Sequence, residues 1–539
     1  MWLLLIAGFA MLHALHLSAD FPNHSPWMSD WAKYTDEGWY GNAAIRAHLF
    51  GNWYLPGDFN PAPAVPVWPF LEWLLFFMTG VSVVAARGLA VSFFFANLIL
   101  SYSLLQSRGP HARRWTGLLA LTFLVTSPFL YCFSRLAILE PMLTALLLVA
   151  LNVIVRLSRI RRPLTASIGV GLLFTLMMLT KTTAIFLLPS LAWAFLASLW
   201  QKQPLRMNKG VQPWVGRVTR NCSLAAFGAF AITFGFWMAL VIHLGLLPDY
   251  KYLFFVNNYI KPANFYWPFL SFWWSFHGGL WVDHILIPMA GALFLAAIAV
   301  GISRPKRTSW GRRLLMDPVF GASIAAIAGY VLFMTYQNHP QPRYFAVVSV
   351  FCFLIVAIGT EALLVQPGTA RSVGWAVFAL AASAILANGM WTLSFATHPE
   401  YSFVNAARQL STYIDGHPNG NRLLVSISGD EITLVTQIPA LCDDFGTPSR
   451  TYPDLATKLH LYQPGWWATW NDIDPGTLED IHKHFSLEQV ASFRAFDDPE
   501  RNYLVLFKLH PLPSGTVREL DPATLQAPLP DDKISIPVE

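Results

Sequence analysis

Long apolar runs constrain this 539-residue sequence more than any other feature. A helix needs about 20 apolar residues to cross the hydrocarbon core of a bilayer. With 55% hydrophobic and only 12% charged residues, the composition excludes a soluble multidomain enzyme. We predict a polytopic α-helical membrane protein with about 11 spans, near residues 1–18, 82–106, 115–133, 136–157, 164–180, 182–200, 221–247, 281–302, 317–336, 343–364 and 371–396.

Two apolar segments differ from the ordinary predicted spans. The run at residues 1–18 lacks the basic start and the clear small-residue cleavage site of a signal peptide, so we expect a retained first span. Residues 66–80 form a shorter run that begins with prolines and contains Glu72. We predict that this second segment is an interfacial helix that lies along the membrane surface.

Basic residues are concentrated in alternate loops. Loops 107–114, 156–162, 201–220 and 303–316 contain no Asp or Glu, and with Arg371 they hold half of the 36 Lys and Arg residues. Because positive loops face the cytoplasm, we predict a multi-pass protein with its N-terminus inside and its C-terminus outside. The membrane that we expect it to occupy is a bacterial plasma (inner) membrane. Charge placed in this way argues against a nucleic-acid partner, despite the net charge of +5.

The chain is predicted to have three parts. Residues 1–396 form the membrane domain, residues 397–510 a periplasmic or extracellular α/β domain, and residues 511–539 a disordered Pro-rich, acidic tail. The four cysteines do not make a disulfide framework. Within the second part, the patterns predict helices at 403–414 and 475–485 and strands at 422–427 and 503–509.

On this topology the outer face consists of residues 19–81, the turn near residue 134, the loop 248–280 and residues 337–343. Loop 248–280 is rich in aromatic residues. This composition is typical of the entrance to a lipid-substrate site at the level of the headgroups, and equally of an aromatic belt that binds no substrate. The candidates for chemistry are the charged residues of these outer segments.

Asp36 and Glu37 lie in the first long outer loop, before a short predicted helix that ends at Gly51. Asp36 is therefore either a simple helix cap, with Glu37 complementing the helix dipole, or a catalytic carboxylate. A divalent cation held by Asp36, Glu37 or Glu140 is an open alternative, because carboxylates are hard oxygen ligands. No ligand-spaced cluster predicts a zinc site.

Further charged residues lie at the other outer segments. Arg135 and Glu140 are at the outer entrance of an apolar helix, where ionisable residues usually face a polar cavity or a partner. Lys181 lies between two apolar runs, and Arg343 with Tyr344 ends the last outer loop. The cations are either snorkelling interfacial residues or ligands of a phosphate.

Carboxylates and cations on one face of a helical bundle fit transfer from a phosphate-linked donor. One carboxylate takes the proton of an acceptor hydroxyl, while the cations stabilise the departing phosphate. Phosphate is already a good leaving group, so no general acid is required. A single displacement of this kind inverts the anomeric carbon of a sugar.

The order of the motifs resembles the protein mannosyltransferase and aminoarabinose transferase family of C-type glycosyltransferases. The resemblance covers about residues 1–396. It rests on the Asp36-Glu37 pair, on Ser-Arg-Leu-Ala-Ile-Leu-Glu-Pro at 134–141, on Leu-Thr-Lys-Thr-Thr at 179–183 and on Pro-Arg-Tyr-Phe at 342–345. At the N-terminus the sequence departs from the family, whose members usually carry basic residues before the first span.

The resemblance implies a polyprenyl-phosphate-linked sugar donor, an active site on the outer face and an inverting mechanism. The acceptor is a lipid, a polysaccharide or a protein. The family pattern makes Asp36 the catalytic base with Glu37 beside it, and it puts Glu140 where many relatives carry Asp in a second acidic motif. The candidates for binding the donor phosphate are Arg135, Lys181, Arg343 and Tyr344.

Two other functions stay open. A lipid-linked sugar flippase or transporter would also need many helices and buried charges, although repeated halves with broken helices are not evident in this sequence. A polysaccharide polymerase or ligase would use a diphosphate-linked donor, and we expect its essential cations in a large late outer loop.

Overall fold

The computed structural model describes residues 2–55, 58, 60–108, 113–200, 212–256, 285–303, 310–337, 341–442, 455–496 and 501–513. Helices dominate up to residue 397. In chain order they are α1 (Trp2–Leu12), α2 (Asp36–Phe50), α3 (Val67–Thr79), α4 (Val83–Gln106), α5 (Arg114–Thr126), α6 (Pro128–Ser134), α7 (Glu140–Arg156), α8 (Pro163–Thr180), α9 (Leu188–Trp200), α10 (Gln212–His243), α11 (Leu247–Lys251), α12 (Leu286–Ser303), α13 (Trp310–Leu315), α14 (Pro318–Tyr336), α15 (Phe345–Leu364) and α16 (Thr369–Thr397).

Seven helical stretches in the described part of the chain are long and apolar enough to cross a membrane, and α5 with α6 makes an eighth if this pair, bent by 66°, is one span. They correspond to eight of the predicted spans. The other three predicted spans coincide with shorter helices: α1, α7, and α9 with the 3₁₀ turn before it. The protein is therefore a polytopic helical membrane protein, and the total of about 11 spans stays a prediction.

The bundle is organised around α15. Of the apolar window that contains this helix, 89% is buried inside the protein, whereas only 6% of the window in α10 is buried. A helix that is apolar on every side needs other helices or lipid around it. Helix α15 is therefore central, and α10 is peripheral.

After α16 the fold changes to a small mixed sheet with helices. The helices are α17 (Ser402–Gly416), α18 (Gly429–Thr436), α19 (Leu455–Tyr462) and α20 (Pro475–His482). The strands are β1 (Leu424–Val425), β2 (Ala440–Leu441), β3 (Trp466–Trp470), β4 (Phe485–Arg494) and β5 (Tyr503–Pro511). Their order is β2-β1-β3-β5-β4, in which β1 is parallel to β2 and β3, and β5 is antiparallel to β3 and β4.

The sheet region packs directly on α2. Helix α18 comes so close that a Cβ on Gly38 would lie 2.3 Å from the backbone carbon of Asp430, so only glycine fits at this position. On the other side of the region, the Asp20 carboxylate accepts hydrogen bonds from the backbone N–H groups of Phe403 (2.7 Å) and Val404 (3.2 Å) at the start of α17. The first loop of the chain is thus held between the membrane helices and the sheet region.

The remaining fold predictions have mixed outcomes. The helix predicted at 66–80 is α3, yet its Glu72 is fully buried, and its location at a membrane surface stays a prediction. All four predicted elements of the C-terminal region are confirmed in type, and all four cysteines are free. Most of the aromatic loop and most of the tail, residues 257–284 and 514–539, lie outside the described residues.

Candidate active site

Asp36 is the first residue of α2. The N-cap is Thr35, whose side chain makes no capping hydrogen bond, and Gly51 ends the helix with a left-handed φ of 77°. The alternative that Asp36 is the helix cap is therefore wrong. The Asp36 carboxylate forms an ion pair with the guanidinium of Arg343. Arg343 lies in the 3₁₀ turn Pro342–Tyr344, which directly precedes α15.

Asp30 positions Arg343 for this pair. One carboxylate oxygen of Asp30 lies 2.5 Å from Nη1 of Arg343, and the other accepts from the Arg343 backbone N–H at 2.8 Å. The same carboxylate caps the preceding 3₁₀ turn by accepting from the Ala32 N–H at 2.9 Å. Because two main-chain groups and one guanidinium hold it, Asp30 fixes the first loop against the turn that carries Arg343.

Lys181 and Glu140 form a second ion pair in the same cluster. Lys181 lies at the C-terminal end of α8 in extended backbone, and Glu140 is the first residue of α7. The Tyr344 ring connects the two pairs, since Lys181 Nζ is 4.8 Å and Arg343 Cζ is 5.1 Å from its centroid. The structure thus brings together Asp36, Glu140, Lys181, Arg343 and Tyr344.

The cluster is shielded from solvent, but unevenly. The side chain of Asp36 is 15% exposed, compared with 6% for Lys181, 6% for Arg343 and 0% for Glu140. Burial raises the pKa of Asp36 above its ordinary value, and the positive charge of Arg343 opposes this rise. Asp36 is therefore the most accessible carboxylate of the cluster and a stronger base than an exposed aspartate.

The Glu37 carboxylate binds groups outside this cluster. Its carboxylate accepts from Nε and Nη2 of Arg87 at 2.7 and 2.5 Å and from the Ala137 N–H at 2.7 Å. Glu431 of α18 accepts from the Gly38 N–H at 3.0 Å. Glu37 thus joins α2 to α4 and to the turn before α7, and no described contact brings its carboxylate to Arg343 or Lys181.

Arg135 also lies apart from the cluster. Its guanidinium donates to the backbone oxygens of Leu15 and His16 at 2.7 and 2.6 Å and to the Tyr131 hydroxyl at 2.7 Å. These contacts hold the turn after α1 against α6. Phosphate binding by Arg135 stays a prediction, and the described contacts of this residue do not support it.

A further buried network was missed from the sequence. Arg46 of α2 is bound by Asp58, at 2.9 Å from Nη2, and by Asp430 of α18, at 2.5 Å from Nη1. Lys458 of α19 adds a third link, with Nζ 3.0 Å from Asp58. All four side chains are at most 6% exposed, so this network locks the sheet region onto α2.

Among the buried charged residues that the sequence analysis missed, only Arg87 stands in a sequence context that indicates a buried partner. Arg87 is a charge inside the apolar run 82–106, and such residues usually have a buried partner. Asp30, Asp58 and Asp430 lie in polar segments, where an aspartate is ordinary. Only the tertiary structure shows that these three carboxylates are buried and paired.

The candidate carboxylates do not gather around a cation position. Asp36, Glu37 and Glu140 are each paired with a different basic side chain. Within the described residues, no group of three or more His, Cys, Asp or Glu side chains is placed to hold a metal ion. A divalent cation at Asp36, Glu37 or Glu140 therefore stays a prediction, which these pairings do not support.

No protein-family model matches the chain, and no curated protein sequence matches it. Solved structures do resemble it. ArnT from Cupriavidus metallidurans bound to undecaprenyl phosphate superposes with a TM-score of 0.56 at 13% identity, over 94% of this chain and 98% of that chain. The archaeal oligosaccharyltransferase AglB from Archaeoglobus fulgidus, in complex with an inhibitory peptide and a dolichol-phosphate, superposes with a TM-score of 0.52 at 12% identity, over 94% of this chain and 74% of that chain. This chain therefore has the fold of ArnT and AglB, and the resemblance predicted from its motifs is confirmed at the level of the fold.

Proposed function

We propose that this protein is an inverting glycosyltransferase that moves a sugar from a polyprenyl phosphate carrier to a lipid, polysaccharide or protein acceptor on the outer face of the membrane. The observation that carries the proposal is the pairing of Asp36 with Arg343 beside Lys181. The fold supports it, because the ArnT and AglB structures contain undecaprenyl phosphate and a dolichol-phosphate. The described residues also include seven helices long and apolar enough to cross the membrane in which a lipid-linked donor resides.

In the proposed reaction, Asp36 takes the proton of an acceptor hydroxyl. The acceptor oxygen bonds to the anomeric carbon as the bond from that carbon to the phosphate oxygen breaks, and polyprenyl phosphate leaves with the electron pair. A base within hydrogen-bond reach contributes about 10²–10⁴-fold to such a step. No second acid is required, because the leaving group is a phosphate.

Arg343 and Lys181 are proposed to hold the phosphate. An arginine has five N–H donors and a lysine three. The contacts to Asp30, Asp36 and Glu140 therefore leave N–H donors of Arg343 and Lys181 unused. In particular, Nε of Arg343 is buried and has no hydrogen-bond partner in the described part of the chain. Two buried cations with spare donors stabilise a phosphate more strongly than they would in water.

We expect donor binding to weaken when the cation of the second ion pair is removed. Lys181→Gln alone would leave Glu140 buried and unpaired, so the informative variant is Lys181→Gln with Glu140→Gln. Loss of one charged hydrogen bond to the phosphate should cost about 1.5–3 kcal/mol, which raises Kd for the donor about 10- to 150-fold. Titration with a polyprenyl-phosphate sugar measures this change.

Glu140→Gln alone is the matched control, because it keeps the Lys181 cation. This control should bind the donor at least as tightly as the wild type. Equal donor affinity of the double variant and the control would remove Lys181 from the phosphate site.

The rate of transfer should depend on pH through Asp36. Only the ionised carboxylate accepts a proton, so activity is present above the pKa of Asp36 and is lost as the pH falls through it. Because burial raises that pKa, the loss should occur at a higher pH than the ordinary value of about 3.9 for aspartate. A profile of kcat/KM against pH tests this, and a rate that is constant down to about pH 4 would argue against Asp36 as the base.

The proposal is tested with purified protein, a panel of synthetic polyprenyl-phosphate sugars, and membrane lipids, polysaccharide and peptides as acceptors. Transfer of the labelled sugar to any acceptor establishes the activity and identifies the donor. A flippase would leave the donor intact and move it across vesicle membranes. A polymerase or ligase would require a diphosphate-linked donor in the same assay.

A further inference from the structure

A polar cavity of about 650 Å³ lies away from the candidate active site. Its lining includes Arg108 after α4, Arg113 before α5, Arg313 of α13, and the two carboxylates Asp317 and Glu361. The cavity lies where the ends of five helices meet, namely α4, α5, α13, α14 and α15.

The cavity and the candidate site are at opposite ends of the same helices. Asp317 caps the start of α14, a helix of 19 residues whose end leads to the turn of Arg343. At 1.5 Å per residue this helix is about 28 Å long, which is close to the thickness of the bilayer core, about 30 Å. Glu361 lies near the end of α15, whose first residue follows Tyr344. The cavity is therefore at the level of the opposite membrane surface.

The carboxylates of the cavity are already paired. Arg108 donates to Asp317 through Nε and to Glu361 through Nη1, both at 2.7 Å. Asp317 also caps α14 through the Val319 N–H at 2.9 Å, and Glu361 accepts from the Thr116 hydroxyl at 2.9 Å. The single positive charge of Arg108 balances one of the two negative charges, and both carboxylates already accept hydrogen bonds.

Two guanidinium groups of the cavity lack a counterion. Neither Arg113 nor Arg313 has a carboxylate in ion-pair range of its side chain among the described residues, and both side chains are exposed. The described lining holds three guanidinium groups, those of Arg108, Arg113 and Arg313, against two carboxylates. The cavity therefore has an excess of positive charge.

We propose that this cavity binds the phosphate headgroup of an anionic phospholipid. Guanidinium groups bind phosphate oxygens through two parallel hydrogen bonds, and basic pockets between membrane helices recognise anionic headgroups. The apolar side of the site is present as well, since Trp310, Leu314 and Val365 line the cavity and Val365 is 51% exposed. An acyl chain would contact these residues, whereas a free phosphate would leave them bare.

The test uses the full chain in detergent micelles with phosphatidylglycerol, with phosphatidylcholine of the same acyl chains, or with inorganic phosphate. The variant is Arg113→Gln with Arg313→Gln. The control is Arg162→Gln with Arg371→Gln, which removes two exposed charges at the same end of the bundle but outside the cavity. Thermal unfolding gives Tm, and native mass spectrometry counts retained lipid.

Phosphatidylglycerol should raise Tm of the wild type and of the control above the value in phosphatidylcholine, and the cavity variant should lose both this gain and the retained lipid. In phosphatidylcholine the cavity variant should melt like the wild type, because neither guanidinium holds a carboxylate. An equal gain in the cavity variant would overturn the proposal. A full gain with inorganic phosphate would assign the cavity to a free anion instead of a lipid. These readouts do not involve sugar transfer, so they are independent of the proposed activity.

Discussion

Asp36→Asn should reduce sugar transfer by about 10²–10⁴-fold while leaving the protein folded. The amide has nearly the same shape as the carboxylate and still accepts a hydrogen bond from Arg343, but it does not take a proton at neutral pH. Donor binding should change little, because the phosphate is held by the cations. Single-turnover transfer measures the rate, and titration with the donor measures Kd.

Asp30→Asn is the control for the loss of a negative charge near Arg343. Asp30 binds Arg343 and two backbone N–H groups but is proposed only to position the cation. We therefore expect a smaller loss of rate, accompanied by a weaker affinity for the donor. If Asp36→Asn retained more than about a tenth of the wild-type rate, the loss of rate would be smaller than the range expected for removal of a general base. The ion pair between Asp36 and Arg343 would then be structural.

Arg46→Met should lower the free energy of unfolding by about 3–5 kcal/mol, the usual cost of removing one partner from a buried ion pair. Arg46 is only 1% exposed and contacts two carboxylates, and without it Asp430 keeps only the Asn42 amide, at 2.7 Å, as a side-chain partner among the described residues. The variant leaves these carboxylates in a low-dielectric site. Denaturant titration of the purified protein in micelles measures the change.

Arg422→Met is the matched control in the same region. Arg422 pairs with Asp415, but these side chains are 45% and 52% exposed. Exposed pairs contribute about 0–1 kcal/mol, so this variant should unfold almost like the wild type. An equally small effect of Arg46→Met would show that the sheet region does not depend on the buried network for its attachment to α2.

The periodicity of apolar residues predicts most of the membrane part, because spans such as α4, α14 and α15 are long and nearly free of charge. It does less well where a helix is short or bent. A proline at 128 starts a new helix after α5, and the 3₁₀ turn Thr182–Leu187 precedes α9, so single apolar runs become broken elements. In the sheet region, β2 was not predicted, because its two residues are too few for an alternating pattern.

For the candidate site, the sequence identifies which residues are chemically capable but not which of them meet. Asp36 and Glu37 are neighbours in the chain, yet Asp36 pairs with Arg343 and Glu37 with Arg87. Arg135 and Glu140 are only five residues apart in sequence, yet Glu140 pairs with Lys181 and Arg135 binds backbone oxygens. Successive residues on a helix point in different directions, and helix packing then chooses the partners.

The most direct test of the proposed function follows both products of one reaction. Purified wild-type protein is given a labelled polyprenyl-phosphate sugar and an acceptor, and the released lipid and the glycosylated product are quantified together. The proposal predicts one polyprenyl monophosphate for each glycosylated acceptor, with the anomeric carbon inverted relative to the donor. Retention of the anomeric configuration, or recovery of the donor intact on the other side of a vesicle membrane, would contradict it.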